Sequence, residues 1–373
     1  MINRLFCASK PLDEEAAHKV LEQQLSLLSS EGALGRIEEI TVKLAAQQGK
    51  TNPSLEQAWL SIFASDHGFF DDKCQDDELL PTMQRINRIC HQSAAISPLI
   101  NTLGLKSEWI DVGVDAELTD CPDWLDEKIA PATQSLFGQA AMDRSQLLSA
   151  MQVGIDAVER AHQAGADIFI GGEVASGNEI SALAIASVLS GKTALELISS
   201  SGEFVSRAEK RTASEIDDAV ALHRKELQSP LYILQYLGGF EIAALAAAYI
   251  RCAQLGMTML IDGFVATVAL WLADMISRND QLVDCDSVET LYRLGKYSVP
   301  ETMFCLCGTC PRLVEWSFFA QQSAHPAHAE VLDILAAEPL LSWQIKQGEA
   351  LGALMVLPLL KQACAINNGS NFK

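Results

Sequence analysis

The segment Asp167 to Gly191, DIFIGGEVASGNEISALAIASVLSG, constrains the fold more than any other stretch of this 373-residue chain. Ile168, Phe169 and Ile170 are consecutive and apolar, the pattern of a strand covered on both faces, and such strands belong to parallel sheets. Glu173 follows the run, then a loop of small residues, then Ser176 three places before Glu179. That spacing predicts a capping box and a helix from about Gly177 to Ser190, with Gly191 as its C′ stop. An acid is thereby placed where a strand hands over to a helix N-terminus. Open α/β sheets collect ligands at that edge, and backbone N–H groups can hold a phosphate there.

The same unit recurs along the chain. Trp59 to Ala64, Trp109 to Val114 and Met257 to Ile261 read as further strands, and helical patterns cover Leu79 to Leu103, Gln146 to Ala164, Phe240 to Ala253 and Val265 to Met275. The alternation predicts an α/β fold with a doubly wound, Rossmann-like parallel sheet. Leu12 to Gln48 and Val331 to Ala365 read as helix, the latter broken at Pro339 and around Gly348. We therefore expect residues 1–52 and 331–373 to form a small helical domain and residues 53–330 the larger, catalytic one. Leu118 to Gln139 and Ser277 to Pro300 show no clear period.

Asp66, Asp111, Glu173 and Asp262 all fall at or near predicted strand ends, so the fold is expected to bring them to one edge. Crowded carboxylates raise one another's pKa values. Such a crevice can hold one ionised base and hydrogen-bond ribose hydroxyls with the rest. Each acid equally suits a purely structural role as a helix cap.

Charge narrows the partners. With 27 Lys and Arg against 48 Asp and Glu the net charge is −21, which argues against nucleic acid or an anionic membrane surface. No run of signal-peptide or membrane-spanning character is present, and the expectation is a cytoplasmic protein. Ten scattered cysteines fit reduced, mostly buried thiols. Cys305, Cys307 and Cys310, with His325 or His328 as a fourth donor, are the one group with zinc-like proximity, but their spacing is not that of a standard site. Dinucleotide, P-loop, zincin and nucleophile-elbow signatures are absent.

A set of short motifs occurs in one order across most of the chain: Gly32-Ala-Leu-Gly-Arg36, Ser65-Asp-His-Gly68, Ile110-Asp-Val-Gly113, Gly172-Glu173 with Gly177-Asn178, Gly238-Gly-Phe-Glu241, Leu260-Ile-Asp-Gly-Phe264 and Gly348-Glu349. Together they resemble the nicotinate-nucleotide:dimethylbenzimidazole phosphoribosyltransferase family over roughly Gly32 to Ala363. The resemblance implies a homodimer that transfers ribose 5-phosphate from nicotinate mononucleotide to a benzimidazole with inversion at C1′, in assembly of the cobalamin lower ligand. It implies no cofactor and no metal. By motif Glu349 matches the general base, Glu173 and Asn178 the nucleotide site, and Ser323 a serine near the base. Asp262 and Gly202 join this substrate-binding set.

Several positions depart from the family pattern. The glycine-rich loop is reduced to Ile198-Ser-Ser-Ser-Gly202-Glu203, Glu179-Ile180 replace paired threonines, and Ala350-Leu351 follow the catalytic acid. Asp77 and Arg85 stand where the family carries a base-contacting serine and glutamine. These changes keep a second class open, a relative that binds a nucleotide or aromatic base without turnover.

Overall fold

Each apolar run identified above becomes a strand because its alternate side chains have a separate core to enter on either face. The computed structural model describes residues 7–27, 33–69, 81–202, 204–278 and 312–369. Its strands are β1 (Ala58–Ser65), β2 (Lys106–Gly113), β3 (Trp124–Asp126), β4 (Ile168–Val174), β5 (Thr258–Ile261), β6 (Ser317–Gln321) and β7 (Pro339–Leu341). They form one sheet in the order β3-β2-β1-β4-β5-β6-β7, parallel at every pairing. The order reverses direction between β1 and β4. The crevice of a doubly wound sheet opens at the C-terminal ends of that pair.

The helices are α1 (Glu14–Leu27), α2 (Arg36–Gln48), α3 (Thr82–Cys90), α4 (Ile96–Leu103), α5 (Arg144–Gln163), α6 (Asn178–Ser190), α7 (Ala194–Ser199), α8 (Arg207–His223), α9 (Pro230–Leu237), α10 (Phe240–Leu255), α11 (Gly263–Ser277), α12 (His328–Leu335) and α13 (Leu351–Gly369). Leu60, Ile62 and Ala64 of β1 enter one core with Ile168 and Ile170 of β4, while Phe63 and Phe169 enter the other. This is the two-residue period of a strand expressed as two hydrophobic layers. The core around Phe63 is closed by α5 and α10, which approach closely because Gly154 leaves room for the backbone carbonyl of Ala244. The opposite core is closed by α13 through Ala353, Leu354, Val356, Leu357 and Leu360.

The N-terminal helix α2 reaches the β5 to β7 half of the sheet and meets α13 there. Lys43 of α2 donates to the carbonyls of Ser317 (2.6 Å) and Val314 (3.1 Å), Arg36 donates to that of Pro339 (2.7 Å), and α13 packs on α2. Burial pushes Lys43 down to about 8. No helix among the described residues is long and apolar enough to cross a membrane.

The differences from the expected elements have local causes. The expected helix from Leu79 to Leu103 is two helices, because Gln92 takes a left-handed φ of 53° and Ser93 N–H turns back to Arg88 O at 2.8 Å. β3, β6 and β7 were not foreseen. β7 lies within the segment read as broken helix and pairs instead with β6. The capping box at Ser176 is not formed: Gly177 is the N-cap of α6 at φ 84°, and Ser176 N–H donates to Thr82 Oγ1 at 3.0 Å. Thr82 fixes the start of α3 in this way, and that contact competes successfully for the serine. Cys90 and Cys121 form a disulfide rather than two reduced thiols, with Cα atoms 5.7 Å apart. The bridge joins the end of α3 to the segment after β2. Cys305, Cys307, Cys310 and Asp77 lie outside the described residues.

Candidate active site

A cavity of about 310 Å³ opens at the C-terminal ends of β4, β5 and β6. Its floor comes from Glu173 near the end of β4 and Asp262 just after β5, and Asn178 and Glu179 in the first turn of α6 form one wall. Gln321 and Ser323 at the end of β6, Arg85 and Arg88 of α3, Phe264 of α11 and the segment Ile345 to Glu349 complete it. The size suits a small ligand rather than a macromolecule.

Glu349 is 3% exposed and sits in a left-handed turn immediately before α13, with φ 67° at Glu349 and 58° at Ala350. Two successive non-glycine residues in that region cost on the order of 1–3 kcal/mol each, and backbone strain of this kind gathers at working sites. The turn is anchored by Gly348 and Gly352. A Cβ on Gly348 would lie 2.8 Å from Glu173 Oε1, and one on Gly352 would meet the Asp262 carboxylate and, at 2.7 Å, Gln321 Cγ. The glycines therefore let the turn that carries Glu349 pack closely against the other two acids. Arg85 donates from Nε to Glu349 Oε1 at 3.2 Å, and Gln347 donates from Nε2 to Oε2 at 3.3 Å.

Glu173 Oε2 accepts from Asn178 Nδ2 at 2.6 Å. Burial pushes Glu173 up to about 8, against the opposing pull of Arg85 and Asn178, so near neutrality it holds a proton. Asp262 Oδ2 accepts from Ala353 N–H at 3.1 Å in the first turn of α13. Burial pushes Asp262 up to about 6, restrained by the N–H groups of Ala353 and Gly352 and the side chain of Gln321, so it is mainly ionised at pH 7. The two acids thus differ in protonation within one cavity. One can donate and the other accept.

Ser323 is locked to His328. Ser323 N–H donates to His328 Nδ1 at 3.0 Å, with Ser323 Oγ 2.8 Å from the same nitrogen. Nδ1 is therefore an acceptor, and Nε2, 3.1 Å from Thr267 Oγ1, carries the proton. Burial and the neighbouring His325 push His328 down to about 3 and keep it neutral. His325 stacks on Phe264 with ring centroids 3.8 Å apart.

Of the residues singled out from sequence, Glu349, Glu173, Asn178, Asp262, Ser323 and Arg85 line this cavity, and Gly202 does not. Gly202 closes the turn after α7 at φ 72°. Asp66 and Asp111 also stay outside. Asp66 accepts from Asp115 N–H at 2.9 Å, while Asp111 accepts from Gly113 and Val114 N–H at 3.0 and 2.8 Å and faces Lys128. Both acids are spent on shaping the loop after β2. His67 is wholly buried between Glu241 (2.9 Å) and Ser181 (3.3 Å). Gln321 and Arg88 were missed, and Lys346 and Gln347 were read only as part of the segment leading to Glu349. The apolar run Phe318 to Ala320 before Gln321 carried a strand signal that would have found the first of them.

Fold and cavity define the class: a doubly wound α/β protein with a small, carboxylate-lined cavity at the C-terminal ends of β4, β5 and β6. Residues 9–282 and 299–373 match the family model described as phosphoribosyltransferase. The chain is 36% identical over 361 residues to the nicotinate-nucleotide--dimethylbenzimidazole phosphoribosyltransferase of Azotobacter vinelandii, covering 96% of this chain and 93% of that one. The enzyme of the same name from Ectopseudomonas mendocina is 35% identical over 358 residues, with the same coverage. The crystal structure of the corresponding Thermus thermophilus enzyme superposes with a TM-score of 0.79 at 26% identity, covering 95% of this chain and 96% of that one. The chain belongs to the nicotinate-nucleotide:dimethylbenzimidazole phosphoribosyltransferase family.

Proposed function

We propose that the cavity transfers ribose 5-phosphate from nicotinate mononucleotide to a benzimidazole-type base, giving α-ribazole 5′-phosphate and nicotinate for the cobalamin lower ligand. The observation that carries this is Glu349, buried in a strained turn and lining one small cavity together with Glu173 and Asp262. One nitrogen of the base attacks C1′ as the bond from C1′ to the nicotinate nitrogen breaks, and that electron pair returns to the pyridine ring. The other nitrogen's proton grows acidic as its ring becomes cationic, and Glu349 takes it. Attack opposite the leaving group inverts C1′. Glu173 donates a hydrogen bond to the nucleotide, Asn178 holds Glu173 in place, Asp262 orders the start of α13, and Ser323 presents a fixed hydroxyl to the bound ring.

We also propose that residues 1–52 and 331–373 act as the unit that carries Glu349 onto the sheet, and that the enzyme is a cytoplasmic homodimer. A second reading, a relative that binds without turnover, is favoured by one observation: both oxygens of Glu349 already meet donors, Arg85 and Gln347. Incubating the purified protein with nicotinate mononucleotide and a series of benzimidazoles, scored for nicotinate and α-nucleotide, separates the two. Equal amounts of both products support transfer. Nucleotide binding with no nicotinate released supports the second reading.

A further inference from the structure

Among the described residues Arg85 is the strong cation in contact with Glu349, and the transfer chemistry gives it no task. Its side chain, 19% exposed, donates from Nε to Glu349 Oε1 at 3.2 Å and from Nη1 to Ala175 O at 3.0 Å. It also faces Glu173 and Glu179 electrostatically, and its Nη2 would lie 3.4 Å from a Cβ on Gly348. The position of α3 is set independently, because Thr82, one turn earlier, is tied to Ser176 on the loop before α6. The guanidinium is therefore a built part of the wall. It carries a permanent charge and five N–H donors in one plane, of which these hydrogen bonds use two.

If Glu349 is the base, as proposed above, any acceptor that gives it a proton must lie beside the guanidinium that touches the same carboxylate. A ring edge carrying methyl groups offers those donors nothing and strips water from them. An edge carrying a hydroxyl, a carbonyl or a ring nitrogen accepts from them, and a buried donor left unpaired is costly. We propose that Arg85 is a specificity-determining residue that selects aromatic acceptors with a hydrogen-bond-accepting edge over acceptors with an alkyl edge.

The test compares 5-hydroxybenzimidazole with 5,6-dimethylbenzimidazole as acceptors for the wild type, Arg85→Met and Arg85→Lys, each checked for folding by circular dichroism. The wild type is expected to favour the hydroxylated base. Arg85→Met should shift the ratio of the two kcat/KM values at least about tenfold toward the dimethylated base, with Arg85→Lys falling between. The KM for nicotinate mononucleotide should move far less. A ratio unchanged within about twofold in Arg85→Met, or in Arg85→Lys where the methionine variant does not fold, overturns the proposal. Should the wild type turn over neither base, the transfer reading fails by itself, and calorimetric binding of the two bases then decides the selection. Preference for the hydroxylated base that is lost in Arg85→Met supports it, and equal affinities overturn it.

Discussion

Asn178 donates its side-chain N–H to Glu173 Oε2 at 2.6 Å, and this contact holds a carboxyl whose burial pushes it up to about 8. The folded chain therefore keeps a proton on Glu173 at pH values where the unfolded chain has lost it. Folded molecules bind more protons through that window, so the contribution of Glu173 to stability is full below about pH 4.5 and falls as pH rises toward 8. Glu173→Gln cannot lose the proton. Denaturant unfolding at pH 5 and pH 8 should show the variant gaining on the wild type at the higher pH. Parallel curves for the two proteins would mean that Glu173 is ionised throughout.

The pH dependence of turnover follows from the same pair of acids. Asp262, at about 6, must be ionised to hold the first turn of α13, and Glu173, at about 8, must be protonated to donate. The account predicts a bell-shaped kcat/KM profile with limbs near those values. Asp262→Asn should remove the limb near pH 6 and Glu173→Gln the one near pH 8. A profile in which neither limb responds would remove both carboxyls from the reaction.

Gly352 is required by contact rather than by backbone conformation. A methyl group there would collide with the Asp262 carboxylate and stand 2.7 Å from Gln321 Cγ. Gly352→Ala should cost about 1–3 kcal/mol in denaturant unfolding. It should also lower kcat, because displacing Asp262 frees the turn that aims Glu349. Gly104, whose Cβ would meet nothing within 4 Å but whose φ is 60°, serves as a comparison in which alanine strains the backbone far from the cavity. Equal kcat losses at the two positions would contradict the contact argument.

His67 and Glu241 are completely buried and 2.9 Å apart, with Ser181 on the other ring nitrogen at 3.3 Å. Removing one partner of such a pair leaves an uncompensated polar group in the core, a loss of roughly 3–5 kcal/mol. His67→Ala should therefore lower the thermal midpoint sharply. An unchanged midpoint with lost activity would instead move His67 into the chemistry.

Strands buried on both faces were legible from sequence, because Ile168 to Ile170 and Met259 to Ile261 announce themselves as unbroken apolar runs. The short strands β3 and β7 were not, since three residues leave no period to detect and their pairing partners alone define them. The cavity was legible where a residue sits at a strand end by chain order, as Glu173 and Asp262 do. Asp66 and Asp111 obey the same order yet turn toward backbone N–H groups of their own neighbourhood, a choice made by local geometry. The motif resemblance pointed to Glu349, Asn178 and Ser323, which line the cavity. It could not foresee that Arg85 would reach Glu349 across 264 residues of chain, nor that Thr82 would take Ser176 from its cap.

Removal of the acceptor's proton by Glu349 is tested by single-turnover release of nicotinate in Glu349→Gln. The glutamine keeps the shape and loses the basicity, so the rate with 5,6-dimethylbenzimidazole should fall by about 10²–10⁴-fold while the affinity for nicotinate mononucleotide stays nearly constant. A glutamine variant that releases nicotinate at the wild-type rate would contradict the account and reduce Glu349 to the structural corner of the turn before α13.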